Sequence, residues 1–440
     1  MARGGARRQP VVLYQPRDET APMPLDLLAL GSWIEGRHVV IVDGRFELAP
    51  EARVVELARS ALLIWVSVRT GEPLREALRV SRAARGASPE LPVIWSGPHV
   101  VVDPGSCLET GAVDACAPGA GEEPLQGAVE ALRSGRPLAS VPGLQVAGAA
   151  PVAPTPPPTQ LWPRALYSLL DVERYFEERG ARRLDYASSR GVRESGWLGL
   201  RLERVVGEAL ELADRYRVAE LCFKDQDFFA DPDRAVAIAE GLLEAGARLA
   251  WRAGARAGDV LDAEPAMLRR LAAGGCRGLE VGAGDVGRER LLEAGARLSG
   301  AGIVGRFVFE VAEPGGSGPS LASAVSTARA LCAMDSRFAT PIHKRLAAPA
   351  PAPPGRPLEE WAGFERQPWR DGIAERRLAR AAFYFAEAQR APGRRLGKHL
   401  LRVLALLRVR LGFFSLDFEK VAVELSALVR TGRPRPVPGE

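Results

Sequence analysis

Prolines at 151, 154, 156, 157, 158 and 163 crowd one short stretch, PVAPTPPPTQLWP. Proline fixes φ and has no amide hydrogen to donate, so neither a helix nor a central strand can run through such a segment. The chain must fold as separate bodies joined by an extended linker. Its 440 residues, about three times a usual domain length, leave room for two or three.

Before the prolines, four short apolar runs alternate with helical patterns: Val11–Tyr14, His38–Val42, Leu62–Val66 and Val93–Trp95. A weaker fifth run, Ala112–Ala115, precedes PGAGEEP and a helical pattern over Leu125–Ser134. This alternation predicts a parallel, doubly wound, Rossmann-like domain over residues 1–148, with the linker at 149–165. From Leu184 the alternation resumes with longer helices. Strands are predicted at Leu184–Ala187, Glu220–Phe223, Ala247–Arg252, Gly278–Val281 and Val304–Val311. Helices are predicted over Leu200–Tyr216, Asp231–Ala245, Glu264–Ala273, Arg288–Ser299 and Ser320–Met334. Repeated units of about 30 residues point to a partial (β/α) TIM-type barrel at 166–340. The stretch AAPAPAPPGRP then reads as a loop, and the rest of 341–440 as a C-terminal helical segment. The class is α/β throughout.

Hydrophobic residues at 47% and charged residues at 26% are the balance of a chain that buries a core in water. Lys+Arg 59 against Asp+Glu 54 leaves +5, but the only lysines are Lys224, Lys344, Lys398 and Lys420. So arginine-rich a composition reflects codon bias more than a nucleic-acid surface, and no nucleic-acid partner is expected. The cysteines, Cys107, Cys116, Cys222, Cys276 and Cys332, are not spaced as a disulfide framework or a metal knuckle, so a reducing cytoplasm is expected. The opening MARGGARRQPVVLYQP carries too short an apolar run for an export signal. The stretch Leu400–Phe414 is broken by Arg402, Arg408 and Arg410, too charged for a transmembrane span. Its basic-apolar pattern suits packing on the fold or a partner, or peripheral contact with a membrane surface.

In an open α/β sheet, ligands sit at the carboxyl ends of the strands. The candidate binding residues of the first domain are therefore Gln15, Pro16 and Arg17 after the first strand, and Ser67, Val68, Arg69, Thr70 and Gly71 after the third. Ser96, Gly97, Pro98 and His99 follow the fourth, and Gly119, Gly121, Glu122 and Glu123 the fifth. Glycines there leave backbone bare for a large planar or phosphate-bearing ligand.

The order of these loops, IEGRHVVIVDGR, LLIWVSVRTG, LPVIWSGPH, GAGEE and SVPGL, resembles the cobalamin-binding domain of cobalamin-dependent radical S-adenosylmethionine proteins. The resemblance continues through YSLLDVERYF, LDYASSRG, FKDQDFF, AWRAGAR, GCRGLEVGAG and AGIVGRFVF, covering roughly residues 10 to 335. It implies that cobalamin is the cofactor, with Ser67, Arg69, Ser96 and Gly97 along its nucleotide tail, in a cleft between the first domain and the barrel. The chain lacks the Asp-x-His-x-x-Gly loop and reads Gln15-Pro16-Arg17-Asp18-Glu19 there. Base-off cobalamin without a histidine on cobalt is the resulting expectation.

The family's three-cysteine loop, which ligates a four-iron cluster, should follow SSRG. Here the chain reads Gly191-Val192-Arg193-Glu194-Ser195-Gly196-Trp197, and these side chains do not replace thiolates. Other places differ in the same direction. An acidic pair expected near the amino group of S-adenosylmethionine is Asp225-Gln226, and two later turns read Gly282-Ala283-Gly284-Asp285 and Glu313-Pro314-Gly315-Gly316. The resemblance thus implies no iron–sulfur cluster and weak or absent binding of S-adenosylmethionine.

The same residues have plainer readings. The strand-end groups could be turn formers, and His99 could cap a turn or touch the corrin. Cys222 and Cys276 suit buried structural thiols. Cys107 and Cys116 fall on a loop and a strand, too dispersed for a cluster. Asp225 and Asp227 could be paired acid–base carboxylates or could serve the turn before Asp231-Pro232. Arg182, Arg183 and Arg190 could hold an anion or lie on a solvated face.

Three functions stay open: a cobalamin-binding pseudoenzyme or accessory subunit for an intact radical enzyme or another biosynthetic protein; a non-radical cobalamin-dependent methyltransferase; and a cobalamin-based sensor.

Overall fold

The computed structural model describes residues 9–18, 22–34, 38–153, 164–194, 196–283, 286–311, 321–335, 337–340, 342–344, 358, 361, 384 and 396–411. Most of the proline-rich linker, the Glu313–Gly316 turn, Gly284-Asp285 and most of the expected C-terminal segment lie outside them. The chain divides into two compact units, residues 1–175 with 349–366 and residues 176–348 with 367–440.

In the first unit the elements run β1 (Val11–Gln15), α1 (Leu25–Trp33), β2 (Val39–Asp43), α2 (Pro50–Ala58), β3 (Leu63–Ser67) and α3 (Glu72–Ala87). They continue with β4 (Val93–Ser96), α4 (Pro98–Val102), α5 (Pro104–Glu109), β5 (Ala115–Ala117) and α6 (Glu122–Ser134). All five strands are parallel in the order β2-β1-β3-β4-β5. Successive side chains on a strand point to opposite faces, and helices cover both faces here. Val12, Tyr14, Ile64, Val66, Val93 and Trp95 enter one apolar cluster, while Val11, Leu13, Leu63, Trp65 and Ile94 enter the other. Burial of each such side chain stabilises the fold by about 1.5–3 kcal/mol. The buried indoles keep their hydrogen bonds: Trp65 Nε1 donates to Ser96 Oγ at 2.7 Å and Trp95 Nε1 to Ser81 Oγ at 3.0 Å.

The next helix, α7 (Val172–Arg179), starts in the first unit, whose segment ends at Tyr175. The Tyr175 hydroxyl donates to Asp43 Oδ2 at 2.5 Å, and the Arg45 guanidinium lies 5.0 Å from the ring centres of both Phe46 and Tyr175.

The second unit follows with β6 (Arg183–Tyr186), β7 (Ser189–Arg190), β8 (Leu198–Gly199), α8 (Leu202–Tyr216), β9 (Glu220–Phe223), α9 (Pro232–Glu244) and β10 (Ala250–Arg256). Then come α10 (Ala257–Asp262), α11 (Pro265–Ala273), β11 (Cys276–Gly282), α12 (Arg288–Gly300), β12 (Val304–Val311), α13 (Leu321–Met334), β13 (Ile342–Lys344) and α14 (Leu396–Leu411). Six parallel strands lie in chain order, β6-β9-β10-β11-β12-β13. Each helix returns the chain to the next position in the sheet, which is the winding of a partial (β/α) barrel. Trp251, Phe223 and Phe228 pack together inside it with centroids 4.8–5.7 Å apart. Among the described residues, no helix is long and apolar enough to cross a membrane.

Three expectations need correction. The fifth strand is Ala115–Ala117 rather than Ala112–Ala115, because the Asp114 carboxylate accepts from the Val93 amide at 2.8 Å and pairing starts beyond it. β10 extends through Ala253-Gly254-Ala255, weak strand formers held by their ladder to β11. Cys107 lies in α5 rather than on a loop.

Candidate functional site

The order β2-β1-β3-β4-β5 reverses direction between β1 and β3, and a crevice opens at the carboxyl ends of strands flanking such a reversal. Gln15 ends β1 and Ser67 ends β3, so two of the four predicted loops border this switch point. Pro16 is buried, and the exposed Arg17 holds the carbonyls of Gly44 and Glu47 at 3.0 and 2.6 Å. Gln15 Nε2 is buried without a hydrogen-bond partner among the described residues. A buried donor left unpaired costs about 1–3 kcal/mol, and a ligand acceptor at this edge would remove that cost.

The loops after β3 and β4 are knitted together. Val68 N donates to Ser96 O at 2.8 Å, His99 N to Val68 O at 3.1 Å, and Thr70 Oγ1 lies 3.2 Å from His99 Nδ1. Gly97 has φ +98°, and a Cβ there would lie 2.7 and 2.8 Å from the backbone nitrogen and oxygen of Val68. Only glycine accepts both constraints. Gly71 shares the positive φ, +97°. The Ser67 hydroxyl donates to Asp26 Oδ2 at 2.5 Å, while Ser96 Oγ receives the Trp65 indole. Arg69 pairs with Asp18 at 3.3 Å. Pro98 is exposed and His99 fully buried, with Val101 and Val102 60% and 55% exposed just beyond.

The fourth predicted loop lies apart, since β3 and β4 separate β5 from β1. There Gly119 is exposed and Glu123 half-buried. Glu122 is buried, and a Cβ on Gly121 would come within 3.0 Å of Leu30 and Trp65.

In the second unit the segment after β6 is tied down by two polar networks. Asp225 Oδ1 accepts from Ser188 N at 3.0 Å, Ser188 Oγ at 2.9 Å and Ser189 Oγ at 2.5 Å. Its Oδ2 is buried without a partner among the described residues, and burial pushes its pKa upward against the pull of these bonds. Arg234 reaches Ser188 O at 2.9 Å and Leu200 O at 3.0 Å.

The second network occupies the segment where the resemblance leads one to look for cysteines. The Arg193 guanidinium donates twice to Asp227, at 2.8 and 2.7 Å, and once to Asp259 at 2.9 Å, while its backbone amide donates to Asp227 Oδ2 at 3.2 Å. Arg256 bonds both oxygens of Glu194 and reaches Asp227 Oδ2 at 3.1 Å. Hydrogen bonding to Arg193 holds the Asp227 carboxyl below its ordinary range, and Arg256 brings Glu194 down to about 2. Gln226 Oε1 accepts from Gly191 N at 3.1 Å.

Asp225 and Asp227 thus serve separate networks, and the cap of α9 is Asp231, accepting from Arg234 N at 3.0 Å. Arg182 binds the carbonyls of Arg217 and Tyr216, and Arg183 pairs with Glu220. Cys222 and Cys276 are pushed up by burial, to about 11 and about 12, as inert thiols are. Among the described residues no group of three or more His, Cys, Asp and Glu side chains could hold a metal ion.

Sequence reasoning missed Asp26, Arg193 and Trp361. Asp26 sits 41 residues from the serine it engages, and Trp361 Nε1 donates to Asp103 Oδ2 from 258 residues away, at 3.0 Å. Neither leaves a local pattern. The doublets Arg193-Glu194 and Asp225-x-Asp227 were the one signal that could have suggested the second network.

Over 77% of this chain and 73% of the other, the structure superposes with TM-score 0.63 and 20% identity on TsrM from Kitasatospora setae, a radical S-adenosylmethionine methyltransferase bound to tryptophan substrate and a SAM analogue. The fold is that of the cobalamin-dependent radical S-adenosylmethionine enzymes. OxsB, a cobalamin-dependent S-adenosylmethionine radical enzyme bound to aqua-cobalamin and S-adenosylmethionine, superposes with TM-score 0.58 and 16% identity over 81% of this chain and 55% of its own. By sequence, the uncharacterized methyltransferase PH0819 of Pyrococcus horikoshii is 26% identical over 276 residues, 58% of this chain. That match spans 60% of the relative's length. No protein-family model matches the chain.

Proposed function

We propose that this protein binds cobalamin at the carboxyl edge of β1–β5 and works without a four-iron cluster, as a pseudoenzyme or accessory subunit built on a radical-enzyme fold. The observation that carries the reading is Arg193. The loop that would need three thiolates has none, and its arginine is committed to Asp227 and Asp259. The residues present do not fit an iron–sulfur cluster, because guanidinium and carboxylate groups paired to each other offer iron no soft ligand.

They do fit cobalamin. Gln15 Nε2 supplies a donor with no partner among the described residues, Gly97 keeps the β4 loop free of a side chain, and Val101 and Val102 offer apolar surface to a corrin. Ser67 and Arg69 border the same edge, and a histidine on cobalt is not part of the reading. Bound cobalamin would supply a cobalt that can carry a methyl group. The proposed site of action is the cytoplasm, and the proposed partner is a protein, such as an intact three-cysteine relative, rather than nucleic acid.

A second reading, non-radical methyl transfer, is favoured by the likeness to TsrM, a radical S-adenosylmethionine methyltransferase, and to the uncharacterized methyltransferase PH0819. It needs no cluster either. Both readings require the corrin. The test is to equilibrate the chain with hydroxocobalamin, remove free ligand and read the corrin absorbance. Retention is expected for the native chain and not for a folded Ser67→Trp, Gly97→Trp variant. Equal retention by the two would place the ligand elsewhere and overturn the proposal.

A further inference from the structure

Two cysteines far from the second unit's networks are brought together by the fold. Cys107 Sγ donates to Asp103 O at 3.4 Å and Cys116 Sγ to Pro104 O at 3.7 Å, so the two thiols sit on consecutive backbone carbonyls. Both are fully buried in the cluster that also contains Trp361. The neighbouring Cys116 thiol lowers the Cys107 pKa, and His99 adds to the effect. Cys107 and burial together raise Cys116. His99 Nε2 is buried and makes no hydrogen bond of ordinary geometry among the described residues, and its ring packs edge-on to Trp361 at 5.4 Å. One thiol that ionises more readily than usual, a second that resists ionising and an adjacent imidazole are the parts of a resolving pair.

We propose that Cys107 and Cys116 form a dithiol–disulfide couple closed by a small peroxide, a modification site that ties α5 to β5. The Cys107 sulfur attacks one peroxide oxygen and becomes a sulfenic acid, and the other oxygen leaves as water with the proton lost from the thiol. The Cys116 sulfur then displaces the hydroxyl of that sulfenic acid, which leaves as a second water with the Cys116 proton. Two electrons pass from the sulfurs to the peroxide, and one S–S bond forms. Full burial excludes bulky oxidants and leaves hydrogen peroxide as the class that fits. The couple is independent of cobalamin.

Peptide mass analysis of the full chain tests this. No lysine or arginine lies between Gly86 and Arg133, so trypsin releases both cysteines in one peptide. The chain is treated with hydrogen peroxide, quenched, denatured, alkylated with iodoacetamide and digested. The expected product is an unalkylated 86–133 peptide lighter by two hydrogens, which becomes doubly alkylated when dithiothreitol precedes alkylation. In a Cys116→Ser chain the two-hydrogen loss should disappear and Cys107 should carry added oxygen. A doubly alkylated peptide after peroxide, terminal sulfinic or sulfonic acids in place of the disulfide, or a bond from either cysteine to Cys222, Cys276 or Cys332 would overturn the proposal.

Discussion

Arg193 grips Asp227 with two parallel hydrogen bonds, Nε to Oδ2 at 2.8 Å and Nη2 to Oδ1 at 2.7 Å. The geometry matches a planar guanidinium fork to a carboxylate. It anchors the loop after β7 to the segment after β9.

Arg193→Ala should therefore loosen this loop more than it destabilises the fold. The arginine side chain is 36% exposed, and Arg256 also reaches Asp227, so about 1 kcal/mol of stability is expected to go. Chemical denaturation measures the loss, and limited proteolysis within 190–198 should quicken. Arg193→Lys should recover only part, because an ammonium cannot bond both oxygens in parallel.

Asp227 gives this network an acid dependence. Its folded carboxyl titrates below its ordinary value because Arg193 bonds the charged form. The stability it contributes is full above the unfolded value of about 4 and is lost as pH falls through the lower folded value. Asp227→Asn should be less stable than the native chain at pH 7, and the gap should narrow below pH 4. A gap that widens in acid would contradict the assignment.

Asp225 should show the opposite sign. Burial raises its pKa, so its folded carboxyl resists ionising, and the native chain loses stability as pH climbs from the unfolded value through the folded one. Asp225→Asn keeps an acceptor for Ser188 and Ser189 and should gain relative to the native chain with rising pH. Asp225→Ala leaves those donors unmet and should cost about 2–4 kcal/mol. Thermal unfolding from pH 4 to pH 8 reads both.

At Gly97 an alanine methyl would meet Val68 backbone in a positive-φ conformation, a cost of about 2–3 kcal/mol. Gly119→Ala, where nothing lies within 4 Å of the added carbon, should be within about 0.5 kcal/mol of the native chain. Equal effects at both sites would mean that the β4 loop is not shaped as described.

S-adenosylmethionine should bind weakly or not at all. If the chain works without a cluster, as proposed, no iron chelates that ligand's amino and carboxylate groups, and each lost charge-assisted contact weakens binding by at least roughly tenfold. Calorimetric titration of the cluster-free chain checks it, and a low-micromolar dissociation constant would favour the methyltransferase reading instead.

Much of the scaffold was legible in the sequence. Glu220–Phe223 and Val304–Val311 were read to the residue, because buried parallel strands are apolar runs with sharp ends. The fifth strand slipped because Ala112-Val113 and Ala115-Cys116-Ala117 are equally small and apolar, and the choice between them rests on Asp114 and its bond to Val93. The loops at the strand ends were legible through topology, but their side-chain bonding was not. Ser67 could be named from its place after a strand, whereas its partner Asp26 lies in the first turn of α1. The Arg193–Asp227 grip arises from segments that meet only after the sheet is wound, and Cys107 and Cys116 are brought onto consecutive carbonyls by the turn from α5 into β5. No spacing along the chain encodes them.

The central claim, cobalamin without a cluster, is tested most directly by metal analysis of one sample. The chain is reconstituted anaerobically with hydroxocobalamin, ferrous iron and sulfide, then desalted and assayed for cobalt and iron. The predicted result is cobalt near one per chain, a corrin spectrum without an iron–sulfur shoulder, and iron that washes away. Iron and sulfide retained in stoichiometric amount with a cluster signal on reduction, or no retained cobalt, would contradict the account.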